Sequence, residues 1–197
     1  MCEDLLVKHC SPTLADVKTA NTFTYFYSNR KELISELTSL NHKVLPKGMR
    51  IIPLKIDDEK AFIYAYRPER LRKDLSARGA ENILKAYGYR IDNPSVCVCE
   101  LAHRMETCSS FPHEIGLFLG YPPEDVLGFI LYGAGNYKSV GAWKVYGDVK
   151  QAAQTFALYK KCSAIYQKRF ADGVGIETLT VCRASMHDAD MFFGDGR

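Results

Sequence analysis

Apolar residues along the chain switch between a period of two and a period near 3.6, and the switches mark out its elements. Residues 22–27, Thr-Phe-Thr-Tyr-Phe-Tyr, have the aromatic and threonine-rich character of a strand. Asn29 followed by Glu32 resembles a capping box. Behind it Leu33, Ile34, Leu37, Leu40, Val44 and Leu45 fall on one helical face, which Pro46 and Gly48 terminate. Residues 50–56 and 61–66 read as two strands of a hairpin around Asp57-Asp58-Glu59-Lys60. Pro53 donates no ladder hydrogen bond, so it predicts an edge or a bulge in the first of them.

Prolines then announce helices. Ser11 with Pro12 opens a short helix over residues 12–18, and Pro68 starts one through about residue 77. Gly79 separates that helix from another ending at Gly88, and residues 94–107 read as helical, with an extended course open for 96–99. Two short helices follow, over 112–119 and 122–132, and then the loop Gly133-Ala134-Gly135-Asn136. Residues 141–146 read as a strand. Asp148 with Gln151 caps the longest helix, whose stripe is Val149, Ala152, Ala153, Phe156, Tyr159, Cys162, Ile165 and Tyr166. Residues 177–182 read as a last strand. Without regular βαβ alternation, the expected fold is α+β: a single domain over residues 1–185, with a mixed or antiparallel sheet of about 4–5 strands covered by several helices, and a loose tail over 186–197.

Composition narrows the class. Of 197 residues, 47% are hydrophobic and 25% charged, enough apolar material for a sizeable core. A net charge of +3 with acids scattered among the bases gives no basic face, so neither nucleic acid nor an anionic membrane is an expected partner. The N-terminus lacks a basic region followed by an apolar run, and the most apolar stretch, 115–132, is broken by Pro122-Pro123-Glu124-Asp125. The expected location is cytoplasmic, with the 7 cysteines reduced.

Three stretches carry a family resemblance: His9-Cys10-Ser11-Pro12-Thr13-Leu14 with Lys18-Thr19-Ala20-Asn21; Phe111-Pro112-His113-Glu114-Ile115-Gly116-Leu117-Phe118-Leu119-Gly120-Tyr121-Pro122-Pro123-Glu124-Asp125-Val126; and Gly141-Ala142-Trp143-Lys144-Val145-Tyr146. The chain resembles the bacterial family catalogued as domain of unknown function 3793, over nearly its whole length up to about Met186. The resemblance implies a cytoplasmic bacterial protein and supplies no catalytic residues.

The central stretch has chemistry of its own. With Pro112 at the first helical position, His113 and Glu114 would lie in the first turn, where backbone N–H groups are free and the dipole favours negative charge. Glu114 then reads as a helix-start carboxylate and His113 as a neutral imidazole able to act as base, donor or metal ligand. Two helix starts close in sequence could frame an anion, or could simply be capped helices packing Leu117, Phe118, Val126 and Phe129 into a core. Cys10, next to a helix start, suits a nucleophile paired with His113 or His9, or a packed core thiol.

Cys99 and His103 share a helical face, but the spacing with Cys97 and Cys108 matches no standard zinc pattern, so no metal ligands are assigned. Gly133-Ala134-Gly135 lacks the third glycine of a dinucleotide fingerprint and the preceding strand both phosphate motifs need. Lys18, Asn21, Arg67, Tyr121, Trp143 and Lys144 are the remaining polar and aromatic candidates for ligand contact. The reading placed first is a cytosolic binding protein for a small anionic ligand, cofactor or metal. The alternatives are an enzyme using His113 and Glu114 in acid–base chemistry, with Cys10 as nucleophile, and a protein–protein adaptor.

Overall fold

A computed structural model describes residues 2–182. The fold is α+β, built around a three-stranded antiparallel sheet of β1 (Ala20–Phe26), β2 (Arg50–Ile56) and β3 (Lys60–Tyr66) in the order β1-β3-β2. The central strand β3 is buried on both faces. Its odd-numbered residues Ala61, Ile63 and Ala65 join one core, and Tyr64 and Tyr66 join the other. As Pro53 predicted, β2 is an edge strand, and its register against β3 slips between Pro53 and Lys55. The Asn41 side chain occupies backbone groups of that edge: its Nδ2 donates to Ile51 O at 2.7 Å and its Oδ1 accepts from Ile51 N at 3.0 Å.

Helices α1 (Cys2–Leu14) and α2 (Arg30–Val44) cover one face of the sheet. The N-cap Asn29 accepts from Lys31 N, and Leu33, Leu37, Leu40 and Val44 are buried as their spacing predicted, whereas Ile34 and Leu45 of the expected face are exposed. The other face carries α3 (Pro68–Leu75), α4 (Arg78–Ala86), α5 (Pro94–Thr107), the single turn α6 (Ile115–Phe118) and α7 (Pro123–Tyr132). Tyr64, fully buried on β3, donates its hydroxyl to Phe118 O at 2.7 Å and so ties α6 to the sheet. After a two-stranded ribbon, β4 (Ser139–Val140) with β5 (Lys144–Val145), the long α8 (Val149–Ala171) packs along α1. Its N-cap is Asp148, which accepts from Gln151 N as expected. The turn α9 (Ile176–Leu179) closes the described chain.

Several elements differ from the sequence reading, each for a local reason. The first helix begins at Cys2, ten residues before Pro12, because Leu6, Cys10 and Leu14 form a buried face at a spacing of four. Pro12 is tolerated in its last turns, where only one intrahelical bond is lost. The strand expected over 141–146 shrinks to two residues, since the N–H groups of Tyr146 and Gly147 are taken by the Asp125 carboxylate instead of a ladder partner. The strand expected over 177–182 is the turn α9, which buries Ile176 and Leu179 three apart. Among the described residues the sheet therefore has three strands with a separate ribbon, fewer than the four or five expected. Along α8 the expected stripe is partial: Ala152 and Cys162 are buried, whereas Val149, Ala153 and Ile165 face solvent. The tail over 186–197 lies outside the described residues.

Candidate functional site

The turn α6, helix α7 and the β4–β5 ribbon line a half-open cavity of about 360 Å³. Ile115, Gly116, Leu119 and Val126 form its apolar floor, and Phe111, Tyr121, Phe129 and Trp143 its aromatic walls. The polar lining groups are His113, Asp125 and Lys144. Glycine at 116 is what allows the floor to close, since a Cβ there would lie 2.8 Å from Val126 Cγ2.

Asp125 organises the walls. It is buried in the first turn of α7, where the helix dipole favours a carboxylate. Its Oδ2 accepts from Trp143 Nε1 at 2.7 Å, and its Oδ1 accepts from the backbone N–H groups of Tyr146 and Gly147, both at 2.7 Å. Charge-assisted bonds of this length contribute roughly 1.5–3 kcal/mol each against leaving the group unpaired. They fasten the ribbon to α7 and fix the indole plane. Trp143 then stacks on Tyr121 with centroids 4.7 Å apart and meets Phe156 edge-on at 4.6 Å.

The other two polar groups keep unused hydrogen-bonding capacity. Lys144 Nζ lies over the rings of Phe129 and Tyr137, at 5.5 and 5.3 Å, with no carboxylate within ion-pair distance among the described residues. His113 is exposed at the cavity and meets Phe129 edge-on at 4.9 Å, with Phe111 on another side at 6.1 Å. Its ring nitrogens have no hydrogen-bond partner among the described residues. Two nitrogen donors thus border an otherwise aromatic space.

A sequence profile of the family described as "Protein of unknown function (DUF3793)" matches residues 6–180. The chain belongs to the DUF3793 family. Neither the curated proteins nor the solved structures contain a match to it.

In this DUF3793 chain the cavity gathers four of the sequence candidates: His113, Tyr121, Trp143 and Lys144. The remaining candidates lie elsewhere. Glu114 is 1% exposed, turned away from the cavity lining, and its Oε1 accepts from Arg104 Nε at 2.8 Å and from the Tyr89 hydroxyl at 3.1 Å. Burial first, and then the neighbouring Glu114 carboxylate, hold the Tyr89 hydroxyl far above its ordinary range. Cys10 is fully buried in the core on the α1–α2 side of the sheet, among Leu6, Leu14 and Phe23, and does not line the cavity. The proposed pairing of Cys10 with His113 is therefore not assembled; His9 stacks on Phe23 instead.

Arg67 closes the C-terminal end of α1. Its Nε donates to Thr13 O at 2.7 Å and its Nη2 to Leu14 O at 2.7 Å, a cation on the last carbonyls of the helix, which also accept from Asp16 N and Val181 N. Asn21 Oδ1 accepts from the Thr13 hydroxyl at 2.9 Å on the same turn. Lys18 lies behind the cavity wall, its Nζ 5.2 Å from the centroid of the Tyr121 ring.

The paired helix starts also differ from expectation. Residues 113 and 114 form a turn, and the helix after them has one turn only. The second helix start, that of α7, has no side-chain cap, and the Asp125 carboxylate in its first turn accepts from Tyr146 N and Gly147 N of the ribbon. An anion at the cavity would meet side-chain nitrogens rather than helix ends. Cys97 is buried and donates to Arg90 O, and no group of three His, Cys, Asp or Glu among the described residues is placed to hold a metal ion. Among the same residues, no helix is long and apolar enough to cross a membrane.

Sequence reasoning missed Asp125, Phe111 and Phe129 as parts of the site. Asp125 carried one signal: an acid followed at once by Val126, within a run where every neighbour on that face is apolar. A charge in such a place is kept only when several donors meet it.

Proposed function

We propose that this protein binds a small planar ligand, one or two rings in size and carrying an anionic group, in the cavity between α7 and the ribbon. The observation that carries the reading is the unpaired Lys144 ammonium, held by cation–π contacts beside His113 at the border of an aromatic space. A volume of about 360 Å³ falls within the usual range for small-molecule sites, and a few convergent polar groups in an apolar lining are their usual pattern. Planar rings would slide between Trp143 and Phe129, while a carboxylate or phosphate would face Lys144 and His113. Binding is favoured over catalysis because Asp125, the buried carboxylate at the cavity, is committed to three donors and has little capacity left for proton transfer. A location in the bacterial cytoplasm is part of this proposal; the family resemblance and the free cysteines among the described residues support it.

Native mass spectrometry of the protein as purified from cells tests the reading. A retained mass of a few hundred daltons, released on denaturation and absent from the Lys144→Met chain, is the expected result. An identical retained mass on wild type and Lys144→Met would contradict it.

A further inference from the structure

Lys18 lies in the turn between α1 and β1, and its side chain runs into the protein, leaving 4% of the residue exposed. The ammonium stands between two tyrosine rings, 5.2 Å from the centroid of Tyr121 and 5.5 Å from that of Tyr159. Among the described residues no carboxylate lies within ion-pair distance and no acceptor hydrogen-bonds to Nζ, which keeps a trace of contact with solvent. Asp74, on nearby α3, is engaged instead by the Thr19 hydroxyl. Two ring faces replace part of the lost hydration, yet they give the nitrogen nowhere to share a proton. A buried ammonium without a counter-ion is costly, and the usual resolution is loss of the proton. Burial holds Lys18 down at about 8, with the Cys10 thiol pulling weakly the other way.

A desolvated lysine with an available lone pair is a nucleophile toward carbonyl compounds. We propose that Lys18 is a reactive lysine whose amine condenses with a small aldehyde or ketone to form an imine inside the Tyr121–Tyr159 cage. The Nζ lone pair attacks the carbonyl carbon, and the π pair of the C=O bond moves to oxygen, which takes up a proton. The resulting carbinolamine expels that oxygen as water, which leaves with both hydrogens of the neutral amine in net, and a C=N bond remains. No oxidant or reductant takes part. Tyr121 also forms a wall of the aromatic cavity, but the proposal does not rest on that cavity holding a ligand.

The titratable groups facing Lys18 are Cys10 from α1, Tyr121 from the turn after α6 and Tyr159 from α8. Arg70 and Asp74 on α3 act on the same Tyr159, which burial raises to about 12. Of these, Cys10 has the ordinary range closest to that of Lys18. The pH profile is therefore measured in the Cys10→Ala chain as well.

The test is time-resolved labelling of the folded full chain with propanal and cyanoborohydride at pH 7.5, read by peptide mapping. Cyanoborohydride supplies the hydride that fixes the imine as a secondary amine. At that pH an amine near 8 is neutral on the order of 100-fold more often than an ordinary lysine. Allowing for its weaker basicity, Lys18 is expected to label about tenfold faster than the median lysine. From pH 7 to 8 the absolute rate at Lys18 should rise about fivefold while that of ordinary lysines rises about tenfold, so the preference narrows in wild type and in Cys10→Ala; in urea it should vanish. The readout on the wild-type chain needs no variant to fold. Labelling of Lys18 at or below the median rate in the folded chain would overturn the proposal.

Discussion

The indole nitrogen of Trp143 donates to Asp125 Oδ2 at 2.7 Å, so the only tryptophan of the chain is held by a buried carboxylate on the neighbouring helix. Because the other carboxylate oxygen takes two backbone N–H groups of the ribbon, one side chain sets both the plane of the cavity wall and the course of the chain that carries it.

Replacing that carboxylate by an amide leaves one oxygen to accept and turns an amino group toward donors. Asp125→Asn is expected to lose about 2–4 kcal/mol of stability. Trp143 emission should shift to the red as the indole is released. Urea unfolding followed by fluorescence checks both, and an unchanged midpoint with unchanged emission would remove Asp125 from this role.

Glu114 and His113 are adjacent in sequence but do different work. The Glu114 carboxylate is enclosed with Arg104 and Tyr89 away from the cavity lining. Glu114→Ala strands the Arg104 charge in a partly buried position and should cost about 3 kcal/mol. His113→Ala, at an exposed position, should leave stability within about 0.5 kcal/mol and weaken anion binding in the cavity. Chemical denaturation and ligand titration of both chains separate the two effects. The reverse assignment, with Glu114 needed for binding and His113 for stability, would contradict the geometry.

Lys18 makes stability depend on pH. The folded chain holds it at about 8 and the unfolded value is 10.5, with burial as the main cause. Between those values the unfolded state binds more protons, so stability rises with pH across that window. The cost of the buried cation is fully present below pH 8 and is relieved as the amine loses its proton. From pH 7 to 9 this gain is about 1 kcal/mol. Burial raises the thiols of Cys97 and Cys162, and these act in the opposite direction at the same pH. The difference between wild type and Lys18→Met isolates the lysine. Urea midpoints of the two chains should converge as pH rises from 7 to 9, and a constant gap would count against a depressed Lys18.

Elements with a strong local signature were legible from sequence. The hairpin β2–β3, the edge position of Pro53 and the Asp148 cap of α8 each rest on residues within a few positions of one another. What failed depended on distant partners. Residues 141–146 have strand composition, yet Asp125, some twenty positions earlier, takes the N–H groups a ladder would need. The stretch 113–119 has a helix-start pattern, but the turn is drawn to the sheet by Tyr64, and only one helical turn forms. The site was half legible for the same reason. His113, Trp143 and Lys144 are polar or large groups in apolar surroundings, a contrast visible in one dimension. Arg67 has the same contrast but spends it on the carbonyls of α1, a contact between residues more than fifty positions apart.

The proposed ligand is an aromatic anion, and Trp143, in the wall of the cavity, reports on its entry directly. The decisive measurement is a titration of Trp143 fluorescence with a series of aromatic carboxylates and their uncharged amides. Saturable quenching is expected, with carboxylates preferred over matched amides by about tenfold and that preference lost in Lys144→Met. Carboxylates and amides binding equally to wild type, or no saturable change with any of them, would contradict it.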